Sequence, residues 1–297
     1  GGMFFSVKKI KYILKVLKPN IIHSHGIRAD YINMNLVEYQ NRFSTLHNYA
    51  FEDYKMKFGK IKSFIMIFIH FYLIKKTPSM FIACSNSLFN KYKINKNISL
   101  RYIQNGVDLE EFYPLKINQN IRNKLSIRED YLIFISVGSL VKLKDVETTI
   151  NAFKLFNNVN ENSMLLMIGD GPEKLHLDVG NENILFLGNV ENVHEYLKAS
   201  DVYVSSSLSE GLPNSVMEAM ATGLPCVLSN IPAHLELANT DSSLIFLKQD
   251  IDDAYEKFLI ALEGKEHFQR VSYNNAMELF SAKKMSSQYQ DLYNSVV

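Results

Sequence analysis

Residues 202–221 read VYVSSSLSEGLPNSVMEAMA. The opening VYVS is short, apolar and without strict alternation, as befits a strand covered on both faces. NSVMEAMA has a helical pattern, and Pro213 suits its first turn, where a missing N–H costs nothing. The N–H groups of Asn214, Ser215 and Val216 then become donors aimed at an anion. Glu210 lies in the loop and Glu218 more than one turn inside the helix. That spacing sets two carboxylates along one ligand, able to accept hydrogen bonds from sugar hydroxyls, instead of pairing them as a dyad. The plainer alternative is a capping loop and a surface glutamate.

The same alternation extends in both directions. Apolar runs at 132–136, 164–168, 184–187, 226–228 and 244–246 read as strands. The stretches 146–156, 193–198 and 252–262 read as helices, and 273–293 as a helical tail. Such alternation means a parallel sheet with helices on both faces, whose ligands bind beyond the carboxyl ends of the strands. After the first of these strands comes GSLVKLKD (138–145). Its glycine turn admits a ligand to the backbone, and its lysines supply point charges for phosphate. Neither G-x-G-x-x-G nor G-x-x-x-x-G-K-[ST] is present, which argues against dinucleotide oxidoreductases and P-loop enzymes. Gly169-Asp170-Gly171-Pro172 is a sharp turn. Asp250-Ile251-Asp252 reads as a helix cap and not as a metal pair.

The first half alternates too, with strand-like runs at 21–22, 43–46, 80–83 and 102–103. The chain opens on a helical stretch that Pro19 ends, in the middle of the alternating pattern, so a truncated first domain is expected. Residues 54–76, rich in Phe, Ile, Met and Lys, form either a core helix under a loop or a helix lying on an anionic membrane surface. Residues 104–130 are polar and irregular at first, and the domain junction is expected at about 125. His23 and His25 follow one strand and His47 another. His25 is read as structural and His47 is left open between structure and function; none belongs to a metal-ligand motif.

The 297 residues are enough for two domains. With 47% hydrophobic and 21% charged residues the chain is no disordered polymer. Cys84 and Cys226 cannot make a disulfide framework, which fits a reducing compartment. The longest apolar candidate, 64–74, falls short of the roughly 18–20 residues of a membrane span. The net charge of +1 conceals an imbalance: residues 1–125 hold 20 Lys and Arg against 7 Asp and Glu, and residues 126–297 hold 12 against 24. A basic half attracts phosphates of a membrane surface or nucleic acid; no nucleic-acid motif accompanies it.

Taken together, SEGLPNSVMEAMATGLPCV, SVGSLVKLKDVETTINAF, LLMIGDGPE, ILFLGNVENVHEYLKASDVYV, IIHSHG, STLHN, ACS and IQNGVD resemble retaining glycosyltransferases of family 4, with their E-x7-E signature at Glu210 and Glu218. The resemblance runs from about residue 10 onward. It implies an α/β GT-B fold, two Rossmann-like domains facing across a cleft. Residues 1–125 would form an acceptor-side domain lacking its first strands, residues 126–278 a nucleotide-sugar domain, and residues 279–297 a helix crossing back. Carried over by motif, Glu210 contacts the transferred sugar and Glu218 the ribose. Lys144, after Gly138, binds the pyrophosphate. The backbone of Gly211, Leu212, Asn214 and Ser215 holds sugar hydroxyls and phosphates. The loop ending at Val190 holds the base, and His47 matches the histidine near the reacting carbon. Where many members have arginine this chain has Ser139, for which Lys142 is offered as substitute.

The implied function is sugar transfer from a nucleotide-sugar, favouring UDP-sugar, to a lipid-linked or saccharide acceptor in bacterial surface polysaccharide synthesis. It is implied to be metal-independent, with no cofactor, and cytoplasmic at the inner face of the plasma membrane. The alternatives are a donor-binding remnant of low activity and a sugar-nucleotide epimerase or hydrolase on the same fold.

Overall fold

The computed structural model describes residues 3–36, 38–76, 80–93, 100–114, 119–177, 180–239, 241 and 243–297. The chain forms two compact units, Gly1–Asn105 with Met285–Val297, and Gly106–Lys284.

The first unit contains α1 (Met3–Leu17), β1 (Ile22–His25), α2 (Ile27–Met34), β2 (Arg42–Leu46), α3 (Ala50–Lys76), β3 (Met80–Ala83), α4 (Asn86–Lys93) and β4 (Leu100–Tyr102). Its four strands are parallel in the order β1-β2-β3-β4. Phe43, Ile82 and Ile103 make a small core with Leu292 from the end of the chain. Beside it Asp30, buried, accepts hydrogen bonds from Ser24 Oγ at 2.8 Å and Ser44 Oγ at 2.5 Å. Burial raises its carboxyl pKa and the two hydroxyls oppose that rise. Gly59 breaks α3, with φ 72° and ψ 174° that a side chain would resist.

The second unit contains α5 (Gln119–Lys124), β5 (Leu132–Val137), a 3-10 turn (Lys142–Lys144), α6 (Val146–Val159), β6 (Ser163–Ile168), α7 (Lys174–Leu177), β7 (Ile184–Gly188), α8 (Val193–Lys198) and β8 (Val202–Ser205). There follow α9 (Asn214–Ala221), β9 (Cys226–Ser229), α10 (Pro232–Ala238), β10 (Ile245–Phe246), α11 (Ile251–Glu263) and α12 (Lys265–Leu279). The last helix, α13 (Ala282–Asn294), starts in this unit and belongs to the first from Met285 on.

The six parallel strands run β10-β9-β8-β5-β6-β7. Strand order therefore reverses between β5 and β8, which opens a crevice at their carboxyl ends. Ile133, Phe134 and Ile135 on β5 are fully buried, as a strand covered on both faces requires. Val146, Ile150, Phe153 and Phe156 recur along α6 at helical spacing and are buried. Phe134, Phe153, Phe156 and Phe258 pack their rings at 4.7–6.4 Å. Each such side chain contributes roughly 1.5–3 kcal/mol by burial.

The junction between units falls at Asn105–Gly106 and not near 125. The cause is a buried charge. Arg122 on α5 donates to Asp201 Oδ2 at 2.9 Å and to the carbonyls of Ala199 and Tyr131 at 3.0 Å, drawing the preceding segment into the second unit. Asp201 is also met by Lys265 Nζ at 2.6 Å and by the Ile133 N–H at 2.8 Å. A buried pair of this kind holds geometry only because its remaining valences are satisfied.

Candidate functional site

The loops after β5 and β8 flank the reversal of strand order, and those after β6 and β7 continue the same carboxyl edge. Gly138 N–H donates to the Ile168 carbonyl at 2.9 Å, Leu140 N–H to that of Asp170 at 3.0 Å, and Gly169 N–H to that of Gly188 at 2.8 Å. A Cβ on Gly169 would lie 2.0 Å from the Gly138 oxygen, and one on Gly171 2.3 Å from the Leu140 oxygen. Backbone is stacked on backbone here, so only glycine fits.

On this floor the 3-10 turn lays the Lys144 side chain over Gly138, with Nζ 3.6 Å from where a Cβ would stand. Lys144 Nζ donates to Glu210 Oε1 at 2.5 Å, and Ser207 Oγ donates to the same oxygen at 2.8 Å. The loop carrying Glu210 is tied down from below. Ser206 Oγ donates to the Asp145 carbonyl at 2.6 Å and lies 2.8 Å from Thr149 Oγ1, and Leu208 N–H reaches the Leu143 carbonyl at 2.8 Å. Asp145, at φ 46° and ψ 43°, turns the chain into α6 and accepts from Thr148 Oγ1 at 2.8 Å.

Pro213 takes the N-cap position of α9, not a place in its first turn, with ψ 116°. Pro213 itself offers the helix no side-chain cap. Tyr203 OH donates to Ser215 Oγ at 3.0 Å from beneath. Its phenol pKa is pushed up, first by burial, and the charges of Glu210 and Glu218 add to the rise. Glu218 is itself raised, by burial first and by Glu111 second. Asn214 is exposed, Ser215 and Val190 half-buried, and Gly211 and Leu212 buried.

Residues 117–277, more than half of the chain, match the family described as Glycosyl transferases group 1. The chain belongs to the group 1 glycosyl transferases. It is similar to the Escherichia coli UDP-Gal:alpha-D-GlcNAc-diphosphoundecaprenol alpha-1,3-galactosyltransferase, 27% identical over 96% of this chain and 78% of that protein. It is also similar to the E. coli O-antigen biosynthesis glycosyltransferase WclY, 25% identical over 98% and 83%. Among solved structures, sucrose-phosphate synthase of Thermosynechococcus elongatus superposes with a TM-score of 0.83 at 18% identity, covering 98% of this chain and 77% of that one. Anabaena HepE, solved with UDP and glucose, gives 0.82 at 14% identity, covering 97% and 81%. The fold of this group 1 transferase is α/β of the GT-B kind.

Of the residues expected from sequence, Gly138, Lys144 and Glu210 come together in this transferase. Lys142 does not join them. It is exposed and lines a separate cleft of about 630 Å³ with Asp145, Glu147 and Glu173. In a 3-10 turn, side chains two positions apart point roughly 120° apart, and Lys142 faces that cleft while Lys144 faces Glu210. Ser139 is exposed.

His47, in the first unit, lies 2.9 Å through Nε2 from His25 Nδ1, and the rings stack at 5.2 Å. Its pKa is lowered, by loss of solvent first and by His25 second. His23 stacks on His25 at 4.5 Å and is held by Tyr293 OH at 2.5 Å and Thr45 Oγ1 at 2.8 Å.

Sequence reading missed the supports. His234 is fully buried within 3.4 Å of Ser205 Oγ and 2.9 Å of the Ser229 carbonyl, while Ser229 Oγ donates to the Ser207 carbonyl at 2.6 Å. The signal available was the run of three serines at the end of an apolar strand, where buried hydroxyls must find partners.

Proposed function

We propose that this group 1 transferase is a retaining enzyme of family 4, with the E-x7-E pair Glu210 and Glu218. It moves a sugar from a UDP-sugar to a lipid-linked or saccharide acceptor during bacterial surface polysaccharide synthesis, at the inner face of the plasma membrane and without a metal. The observation that carries the reading is the Lys144–Glu210 pair, 2.5 Å apart over the Gly138 floor where strand order reverses. The UDP preference and the lipid-linked acceptor are supported by the relatives' names, one of which acts on a diphosphoundecaprenol-linked sugar.

The chemistry follows from charge. As the bond from the anomeric carbon to the diphosphate breaks, negative charge grows on the departing oxygen. Lys144 and the N–H end of α9, at Asn214 and Ser215, stabilise it. A diphosphate takes Lys144 from Glu210, and the freed carboxylate then accepts a hydroxyl of the transferred sugar. Glu218 accepts the ribose hydroxyls. Gly211 and Leu212 hold the sugar through their backbone, the Gly188–Val190 loop holds the base, and His47 serves the reacting carbon. The new bond keeps the anomeric configuration.

A thermal-shift panel with UDP, GDP and ADP, each with and without magnesium, tests the donor side. UDP is expected to stabilise the protein in both conditions. With donor and acceptor supplied, Glu210→Gln is expected to retain that stabilisation while turnover falls by roughly 10²–10³; Lys144→Ala is expected to weaken the shift. No response to any nucleotide, or full turnover in the Glu210 variant, overturns the assignment. UDP binding with no transfer to any acceptor would make the chain a donor-binding module.

A further inference from the structure

Beyond Gly59, helix α3 has two faces that invert the usual distribution. The buried face carries Ser63, Ile67, His70 and Ile74, each at 7% exposure or less. The opposite face carries Ile61, Phe64, Ile65, Phe68, Ile69 and Tyr72, exposed by 43–81%. Their spacing of 0, 3, 4, 7, 8 and 11 is one stripe of an α-helix. The stripe open to solvent is thus more apolar than the one against the protein, and a contiguous exposed patch of this kind marks an interaction surface.

Charge selects the occupant. Between Tyr54 and Lys76 the sequence holds six lysines and no acidic residue. Lys62, exposed, stands about a quarter turn from Ile61, and Lys75, exposed, continues the line beyond Tyr72. A second copy of this chain docked by two-fold symmetry would bring those lysines against one another. An anionic bilayer accepts both parts of the pattern, rings and aliphatic chains among the lipid tails and ammonium groups on the phosphates. At 1.5 Å per residue the stripe is roughly 17 Å long, too short to cross a hydrocarbon core of about 30 Å, so it lies in the plane of the surface.

We propose that the 61–72 face of α3 is a monotopic membrane-docking element that binds anionic phospholipid. It deepens the reading of a lipid-linked acceptor and rests on that reading for its purpose. The test needs neither donor nor acceptor. The full chain is sedimented with vesicles of phosphatidylcholine alone or with phosphatidylglycerol, beside the variant Ile61→Gln, Phe64→Gln, Phe68→Gln. All three positions are exposed, and the variant's fold is checked by circular dichroism and by its UDP-induced thermal shift.

Binding to the anionic vesicles is expected, weakened by added salt and by roughly tenfold or more in the variant. A chain that stays in the supernatant at low salt, or a variant that binds equally, overturns the inference. So does a solution dimer that the variant dissolves without any vesicle binding, which would assign the face to a second copy. The UDP shift separates this outcome from the fate of the transferase reading, because it reports the second unit's donor site whether or not vesicles bind.

Discussion

His234 illustrates how much of the candidate site rests on residues buried beneath it. Its ring is fully buried under the serine run that carries Glu210, and burial lowers its pKa to about 4, despite an opposing pull from Glu210. His23 and His70 are likewise lowered to about 4, by burial first. Each folded value lies below the ordinary 6.5, so between these limits the unfolded chain binds more protons than the folded one. The three imidazoles therefore leave stability intact above pH 6.5 and remove it as pH falls from about 6.5 toward 4. Scanning calorimetry at stepped pH is expected to show the melting temperature dropping across that window, and His234→Asn is expected to shallow the drop. A flat profile would mean the rings are charged in the fold. Nothing in the sequence around His234 signals this role, because its partners Ser205 and Ser229 stand on two different strands.

At the scale of elements, strands and helices of the second half were legible because double-sided burial writes short apolar runs into β5 to β10 and helical spacing into α6 and α11. Asp250 was legible as a cap, and it accepts the Asp253 N–H at 3.0 Å. The tail misled. Its helical period runs on through residues 273–293, yet the chain breaks between α12 and α13. Val107 enters there, its N–H on the Phe280 carbonyl at 2.7 Å and its carbonyl accepting the Ala282 N–H at 2.8 Å. A break imposed from far away in sequence leaves no local mark. The glycine floor is another joint between elements, and it gives a sharp expectation. Gly169→Ala drives a Cβ into the Gly138 carbonyl, so it is expected to cost about 1–3 kcal/mol and to abolish the UDP-induced thermal shift. Chemical denaturation with and without UDP measures both. An unchanged response would show that the loops after β5 and β6 can part without harm.

At the scale of the whole molecule, the end of the chain completes the unit in which the chain begins. Leu292, Met285, Tyr289 and Tyr293 close the core around Phe43, Ile82 and Ile103, and Tyr289 OH lies 3.0 Å from Thr45 Oγ1. Removing residues 285–297 strips several apolar side chains from that core, at roughly 1.5–3 kcal/mol each. That sum rivals the stability of an ordinary domain. The shortened chain is expected to lose residues 1–105 to limited proteolysis while 106–284 resists. Equal resistance of both parts would assign the first unit a stability of its own.

By itself the sequence determined the alternation of strands and helices, the glycine turns, and the two strand-to-helix loops that carry Lys144 and Glu210, because these depend on periodicity and backbone preference within a few residues. The tertiary structure alone decided that Lys144 and not Lys142 meets Glu210, that the first unit ends at Asn105, and that α3 turns its more apolar stripe outward. Each of these is settled by which distant residue arrives to share a proton, a charge or a buried surface, and local spacing carries no record of that arrival.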